Sequence, residues 1–274
     1  MPLDIVAEVA KLNALYKSKR GAERYHALIY GEKGSGKTSL LATVRLPVFI
    51  DSFDPGGCLV LRDEIEQGVI VADTSWEGEE DAKTPKVFEA WDKEFHRRKK
   101  EGFFNVFATY ALDSLTTLSQ RIMDYVLKKA GRPGGVPQTG PGADNDYVNQ
   151  MLYLENAITG MFSLPCDLIL TAHPDADKDE TTGKIFVGPL ITGKAKMRIP
   201  LLFSEMYYAN AQDTKDGTAY SLQTKLSSTF RASTRLGKGG KFDKFEVPNI
   251  KTLLKKAGLP YEDMPIPWLR LPGK

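Results

Sequence analysis

Five short, continuous apolar runs punctuate the chain up to residue 173: HALIY at 26–30, PVFID at 47–51, GVIVA at 68–72, VFATYALD at 106–113 and DLILTAH at 167–173. A run of this length without a polar face reads as a strand buried on both sides. Between most of them the apolar spacing shifts toward the helical period, over 37–45, a charged stretch near 86–101, 114–130 and 145–163. Strands separated by helices predict an α/β fold, a mainly parallel central sheet with helices on both faces. Ahead of the first strand, Ile5, Val6, Val9, Leu12 and Leu15 recur at near-helical spacing and predict a short amphipathic helix over 3–18.

After residue 173 the pattern changes. SEMYYAN and TAYSLQTKL read as strands joined by a DTKDGT turn, so the sheet is expected to continue as an antiparallel C-terminal extension. Residues 249–258 predict a small helix ended by Gly258 and Pro260, and a proline-rich tail follows that is expected to pack along the surface or against a neighbour. Two segments break the regular pattern. AGRPGGVPQTGPGADND (130–146) is rich in Gly and Pro and reads as a mobile loop. Residues 174–198 read as a hairpin followed by a basic stretch containing Lys194, Lys196 and Arg198. The expected organisation is an N-terminal helix over 1–23, a core over 24–236 with mobile loops at 131–146 and 174–198, and a C-terminal tail with a short helix over 237–274.

The polar residues at the ends of the apolar runs carry the chemistry. GEKGSGKT, Gly31 to Thr38, fits G-x-x-x-x-G-K-[ST] between a predicted strand and a predicted helix. Such a loop turns backbone N–H groups inward around a polyanion; here Gly31, Glu32, Lys33, Gly34, Ser35, Gly36, Lys37, Thr38 and Ser39 would surround a triphosphate. Lys37 would reach the outer phosphates and the Thr38 hydroxyl would hold Mg2+. Asp113, at the tip of the fourth run, suits the second position of such a site, a carboxylate serving the metal. The second run ends in IDSFDPGG, where Asp51 and Asp54 are both candidates to polarise an attacking water, although Asp, Pro and Gly are also turn formers. The fifth run ends in Thr171, Ala172 and His173, and His173 stands where a side chain can touch the γ-phosphate.

Composition narrows the setting. The 274 residues are 42% hydrophobic and 26% charged, ordinary for a chain that buries a sizeable core. No run of 18 apolar residues occurs and the N-terminal stretch has no signal-peptide character, so a cytoplasmic protein without a membrane partner is expected. Cys58 and Cys166 lie far apart, outside any C-x-x-C spacing, which points to buried thiols rather than a disulfide or zinc site. The net charge of +2 is unevenly spread: residues 178–256 hold 15 Lys and Arg against 7 Asp and Glu. That asymmetry suits a polyanion-binding region as well as a solvated lysine-rich surface.

Taken with GEKGSGKT, VFIDSFDPGG, YALDSLTTL and LILTAHPD, the chain resembles RecA-like P-loop ATPases over about 24–236, and more narrowly the phage-encoded RecA-like proteins of single-strand annealing and recombination. The resemblance implies ATP and Mg2+ as cofactors, with Asp113 serving the metal and His173 as the γ-phosphate sensor. It implies single-stranded DNA as a partner, contacted by the loops at 131–146 and 174–198 through Arg132, Lys194, Lys196 and Arg198. It also implies a homo-oligomer with nucleotide at the subunit interfaces, reached from a neighbour by Lys225, Arg231 or Arg235, and a single-strand-binding protein as a further partner. Where the family places a catalytic glutamate, two residues after Asp51, this chain has Phe53; Asp54 is the nearest acid. A packaging-type P-loop motor and a nucleotide-dependent assembly protein without a DNA role stand as alternatives.

Overall fold

The computed structural model describes residues 4–20, 24–141, 145–178, 180 and 183–270, with the side chains of 16–20 and 270 excepted. Parts of the expected N-terminal helix segment (1–3, 21–23), of the two irregular loops (142–144, 179, 181–182) and of the tail (271–274) lie outside the described residues.

The five apolar runs become β1 (His26–Tyr30), β2 (Val48–Ser52), β3 (Ile70–Asp73), β4 (Thr109–Asp113) and β5 (Asp167–Ala172). All pair in parallel, in the order β3-β2-β4-β5-β1. Alternation along each strand sorts the side chains onto two faces. Leu28, Tyr30, Phe49, Tyr110, Leu112, Leu168 and Leu170 join one core cluster, while Ala27, Ile29, Val48, Ile50, Ala111 and Ile169 join the other. The first face is covered by α3 (Val87–Lys100), α4 (Leu115–Lys129) and α5 (Asp146–Phe162), which bury Phe88, Trp91 and Phe95, Ile122 and Val126, and Leu154 and Ile158. Ser114 and Asn145 cap α4 and α5, each accepting from the backbone N–H three residues on. α1 (Ile5–Arg20) forms as expected, but its apolar positions Ile5, Val6, Val9, Leu12 and Leu15 remain 49–80% exposed. α2 (Arg62–Glu66) is a short turn before β3.

One expectation is corrected by the fold. The helix expected over 37–45 is only a 3-10 turn, Ser39–Thr43. Pro47 follows closely, the residue before a proline is pushed out of the helical region, and too few residues remain to sustain a regular helix. The expected antiparallel extension forms, and it is entered through one strand that pairs in parallel. Beyond a separate hairpin, β6 (Pro174–Lys178) and β7 (Ile185–Pro189), and a helix, α6 (Ala195–Leu202), strand β8 (Glu205–Thr214) joins β1 in parallel. Only β9 (Gly217–Gln223), β10 (Ser233–Thr234) and β11 (Phe245–Glu246) pair antiparallel. Within 174–198 the expected hairpin is the β6–β7 pair, and the basic stretch after it runs into α6.

The second face is closed by Leu40 and Leu41 of the 3-10 turn and by α7 (Ile250–Ala257), which contributes Ile250, Leu253 and Leu254 and ends at Gly258 with φ +77°. The tail packs on its own chain: Met264 N–H donates to Leu46 O, and the Trp268 indole donates to Gly68 O while its ring lies 5.3 Å from that of Phe107. Cys58 and Cys166 are buried free thiols, and burial pushes their pKa values up to about 11 and about 12.

Candidate functional site

β1 feeds directly into the loop Gly31–Thr38 at the carboxyl edge of the sheet. Gly34 and Gly36 hold φ values of +81° and +83°, a region that other residues rarely adopt. A Cβ on Gly31 would collide with the Ala209 carbonyl on β8 and stand 2.6 Å from Ser35 Oγ. Glu32, Lys33, Gly34 and Ser39 are exposed at the mouth, whereas Ser35 and Lys37 are buried and Thr38 is half-buried. The loop forms one wall of a cleft of about 950 Å³ that Asp54, Asp113, Thr117, His173, Tyr220 and Pro248 help to line.

Several features fit a triphosphate. Ser35 Oγ is buried without a hydrogen-bond partner among the described residues, and an unpaired buried hydroxyl is costly unless an acceptor such as a phosphate oxygen meets it. Lys37 Nζ donates to the carbonyls of Gly31, at 2.7 Å, and Glu32, at 2.8 Å. Burial lowers its pKa, against the opposing pull of Asp113, Asp54 and Glu32. A partly desolvated ammonium held by neutral carbonyls favours an incoming polyanion.

A second group of residues fits a divalent cation. Thr38 Oγ1 donates to Asp113 Oδ2 at 2.7 Å, and Thr171 Oγ1 donates to the other oxygen, Oδ1. Burial raises the Asp113 pKa, offset by these two hydrogen bonds and by Lys37. A hydroxyl and one carboxylate are the hard, sparse donor set that Mg2+ takes when it keeps several waters and phosphate oxygens. Among the described residues no cluster of three or more His, Cys, Asp or Glu forms an all-protein cage.

Across the cleft, the sequence candidates Asp54 and His173 meet. Asp54 Oδ2 lies 2.9 Å from His173 Nε2, and Oδ1 accepts from Ser114 Oγ at 2.9 Å and from Thr117 Oγ1. Burial works against the ionised carboxyl, but the hydrogen bonds from His173, Thr117 and Ser114 prevail and hold its pKa below the ordinary carboxylate value. Thr117 and the pairing itself carry no signal in the sequence; Thr171 shows as a polar residue closing an apolar strand.

Asp51 is corrected. It is 1% exposed and points into the aromatic core, where it accepts from Trp91 Nε1 at 2.9 Å, Tyr110 OH at 2.7 Å and Trp76 Nε1 at 3.1 Å, with Arg98 Nη1 at 3.5 Å. All its acceptor capacity is consumed there, so it has none to offer a water in the cleft. Phe53 is also fully buried, against Trp91, which leaves Asp54 as the acid that faces the phosphate loop from this segment.

The remaining candidates lie outside the cleft. Arg231 stacks its guanidinium over Phe186, 5.4 Å from the ring centroid, beside Met197, and Arg235 is exposed, its backbone N–H held by Glu205. Of the four cations expected to meet nucleic acid, three pair with carboxylates of their own chain: Arg132 with Asp146 at 2.8 Å, Arg198 with Glu155 at 2.8 Å, and Lys196 with Asp177. Lys194 is exposed at the start of α6. No described helix is long and apolar enough to cross a membrane.

The chain is similar to a KaiC-like protein from Pyrococcus horikoshii OT3 (10% identity, TM-score 0.38, covering 72% of this chain and 76% of that one). It is similar to the flagellar accessory protein FlaH from Methanocaldococcus jannaschii (12% identity, TM-score 0.42, 81% and 83%). It is also similar to an ATPase of the type III secretion system of pathogenic bacteria (12% identity, TM-score 0.43, 68% and 51%). No curated protein matches. Residues 23–236, however, match the family described as "AAA domain", a span that takes in every strand from β1 to β10 together with the cleft's phosphate loop, Asp54, Asp113 and His173. The chain belongs to that AAA-domain family, and its core is a P-loop ATPase-type domain.

Proposed function

We propose that the chain binds ATP with Mg2+ in this cleft, hydrolyses it, and couples the nucleotide to single-stranded DNA in phage-type recombination or strand annealing. The observation that supports the coupling is His173. Its ring touches Asp54 inside the cleft, while its backbone anchors the β6–β7 hairpin: His173 N–H donates to Thr116 Oγ1 at 3.0 Å, and Leu190 N–H donates to His173 O at 2.7 Å. Thr116 Oγ1 in turn donates to Leu190 O at 3.0 Å, closing a small brace around the hairpin's root. The residue that meets Asp54 in the cleft is thus also the one whose backbone is tied to both ends of the hairpin.

When bound, ATP supplies the transferable γ-phosphoryl group and Mg2+ the charge that neutralises it. Lys37 would exchange its carbonyl partners for the outer phosphates, and Thr38 and Asp113 would hold the metal. Asp54, kept ionised by its hydrogen bonds, accepts the proton of the attacking water, and Ser114 and Thr117 fix its orientation. Neither Arg231 nor Arg235 lines the cleft of its own chain, which accords with a homo-oligomer in which they complete a neighbour's site.

A second reading, a nucleotide-dependent assembly protein without a DNA role, is favoured by the internal pairing of Arg132, Lys196 and Arg198. Fluorescence anisotropy of labelled single-stranded DNA separates the two, with MgATP, with MgADP and with Lys37→Ala, at two salt concentrations. Salt-sensitive binding that needs ATP and Lys37 supports the coupling. Absence of binding under every nucleotide removes the DNA role and leaves an ATPase whose partner is a protein.

A further inference from the structure

The cleft is also lined by side chains that no phosphate would need, Leu40, Val60, Pro248 and Tyr220. Thr43 also lies there, but its hydroxyl is committed, donating to Leu40 O at 2.7 Å and accepting from Ile250 N–H at 3.0 Å. That second bond pins the segment carrying Pro248 to the turn after the loop. The cleft therefore presents apolar surface as well as a polyanion cradle.

Tyr220 lies on β9, opposite Ala211 of β8, at the outward end of the hairpin. Its ring reaches back over the loop: a Cβ built on Gly36 would stand 3.6 Å from Tyr220 Cδ1 and 3.9 Å from Cε1. The residue is 48% exposed, and among the described residues no ring and no cation stacks on it. A large aromatic left unstacked, lining a cleft that Pro248 also lines, is the surface a planar heterocycle takes.

We infer that Tyr220 is the stacking platform for the base of a nucleoside triphosphate whose phosphates lie in the Gly31–Thr38 loop. The inference rests on the nucleotide-binding reading and extends it: the C-terminal strand extension, remote in sequence from the loop, becomes part of the nucleotide site.

Titration calorimetry with Mg2+ and two probes, ATP and baseless tripolyphosphate, tests it on wild type, Tyr220→Ala, Tyr220→Gln and Tyr220→Phe, with thermal melts confirming that each variant folds. Expected is a loss of about five- to one-hundred-fold in ATP affinity for the Ala and Gln variants, the range carried by base–aromatic stacking. Tripolyphosphate affinity should stay within about twofold, and Tyr220→Phe should bind ATP like wild type. Unchanged ATP affinity in Tyr220→Ala, or equal losses for both probes, overturns the platform while leaving nucleotide binding intact. A wild type that binds neither probe overturns the nucleotide reading, and the platform with it.

Discussion

Asp51→Asn separates a structural carboxylate from a catalytic one. In the folded protein Asp51 Oδ2 faces Trp91 Nε1 and Tyr110 OH, and Oδ1 faces Trp76 Nε1 and Arg98 Nη1. The asparagine is isosteric, but whichever oxygen becomes NH2, two donors then face a donor. Each hydrogen bond to a charged acceptor contributes about 1.5–3 kcal/mol, so two lost bonds cost about 3–6 kcal/mol. The Tyr110 hydroxyl can rotate and accept from the amide, which places the expected loss near the lower end, about 3 kcal/mol. Against a total stability of about 5–15 kcal/mol that is large. For a chain of this size it lowers the melting temperature by about 6–12 °C. Urea unfolding should show a lower midpoint with an unchanged slope. MgATP affinity and turnover, measured well below the melt, should stay within about threefold of wild type. A variant that melts with wild type yet loses tenfold or more in turnover would refute the argument and return Asp51 to the chemistry.

Lys37→Ala should weaken MgATP binding about 30-fold or more, the scale of a desolvated charge-assisted contact, with melting changed little; calorimetry and a melt check both. Asp54→Asn should lower ATP turnover by about 10²–10⁴-fold while nucleotide affinity is retained, and steady-state rates decide it. Because the folded Asp54 pKa lies below its unfolded value, its stabilising contribution is complete above the ordinary carboxylate range and is lost as pH falls through the folded value. The stability gap between wild type and Asp54→Asn should therefore narrow as urea unfolding is repeated at progressively lower pH through that range. Glu205→Ala removes a fully buried acceptor for Tyr207 OH, Thr234 Oγ1 and the backbone N–H groups of Arg235 and Leu236. It should cost about 3 kcal/mol and loosen the segment that carries Arg231 and Arg235, measured by urea unfolding and amide exchange.

The parallel core was legible in the chain because its signals are short-range. A strand such as HALIY, buried on both sides, must be apolar throughout, and that requirement is written in consecutive residues. The phosphate loop was legible for the same reason, since the positive φ values at Gly34 and Gly36 are a local demand that glycine meets. Asp51 and Asp54 were indistinguishable, three residues apart in one polar strand end. Their roles diverge through partners that arrive from residues 76, 91, 98 and 110 on one side and from 114, 117 and 173 on the other. The same holds for Tyr220, which meets Gly36 through a hairpin whose strand β8 lies beside β1, and for Lys196 and Arg198, whose charges are answered by Asp177 and Glu155. Backbone periodicity and turn chemistry depend on neighbours along the chain and so can be read there. Which carboxylate is caged by indoles, which ring faces the cleft and which cations remain free depend on contacts between distant segments, and those exist only once the sheet has brought them together.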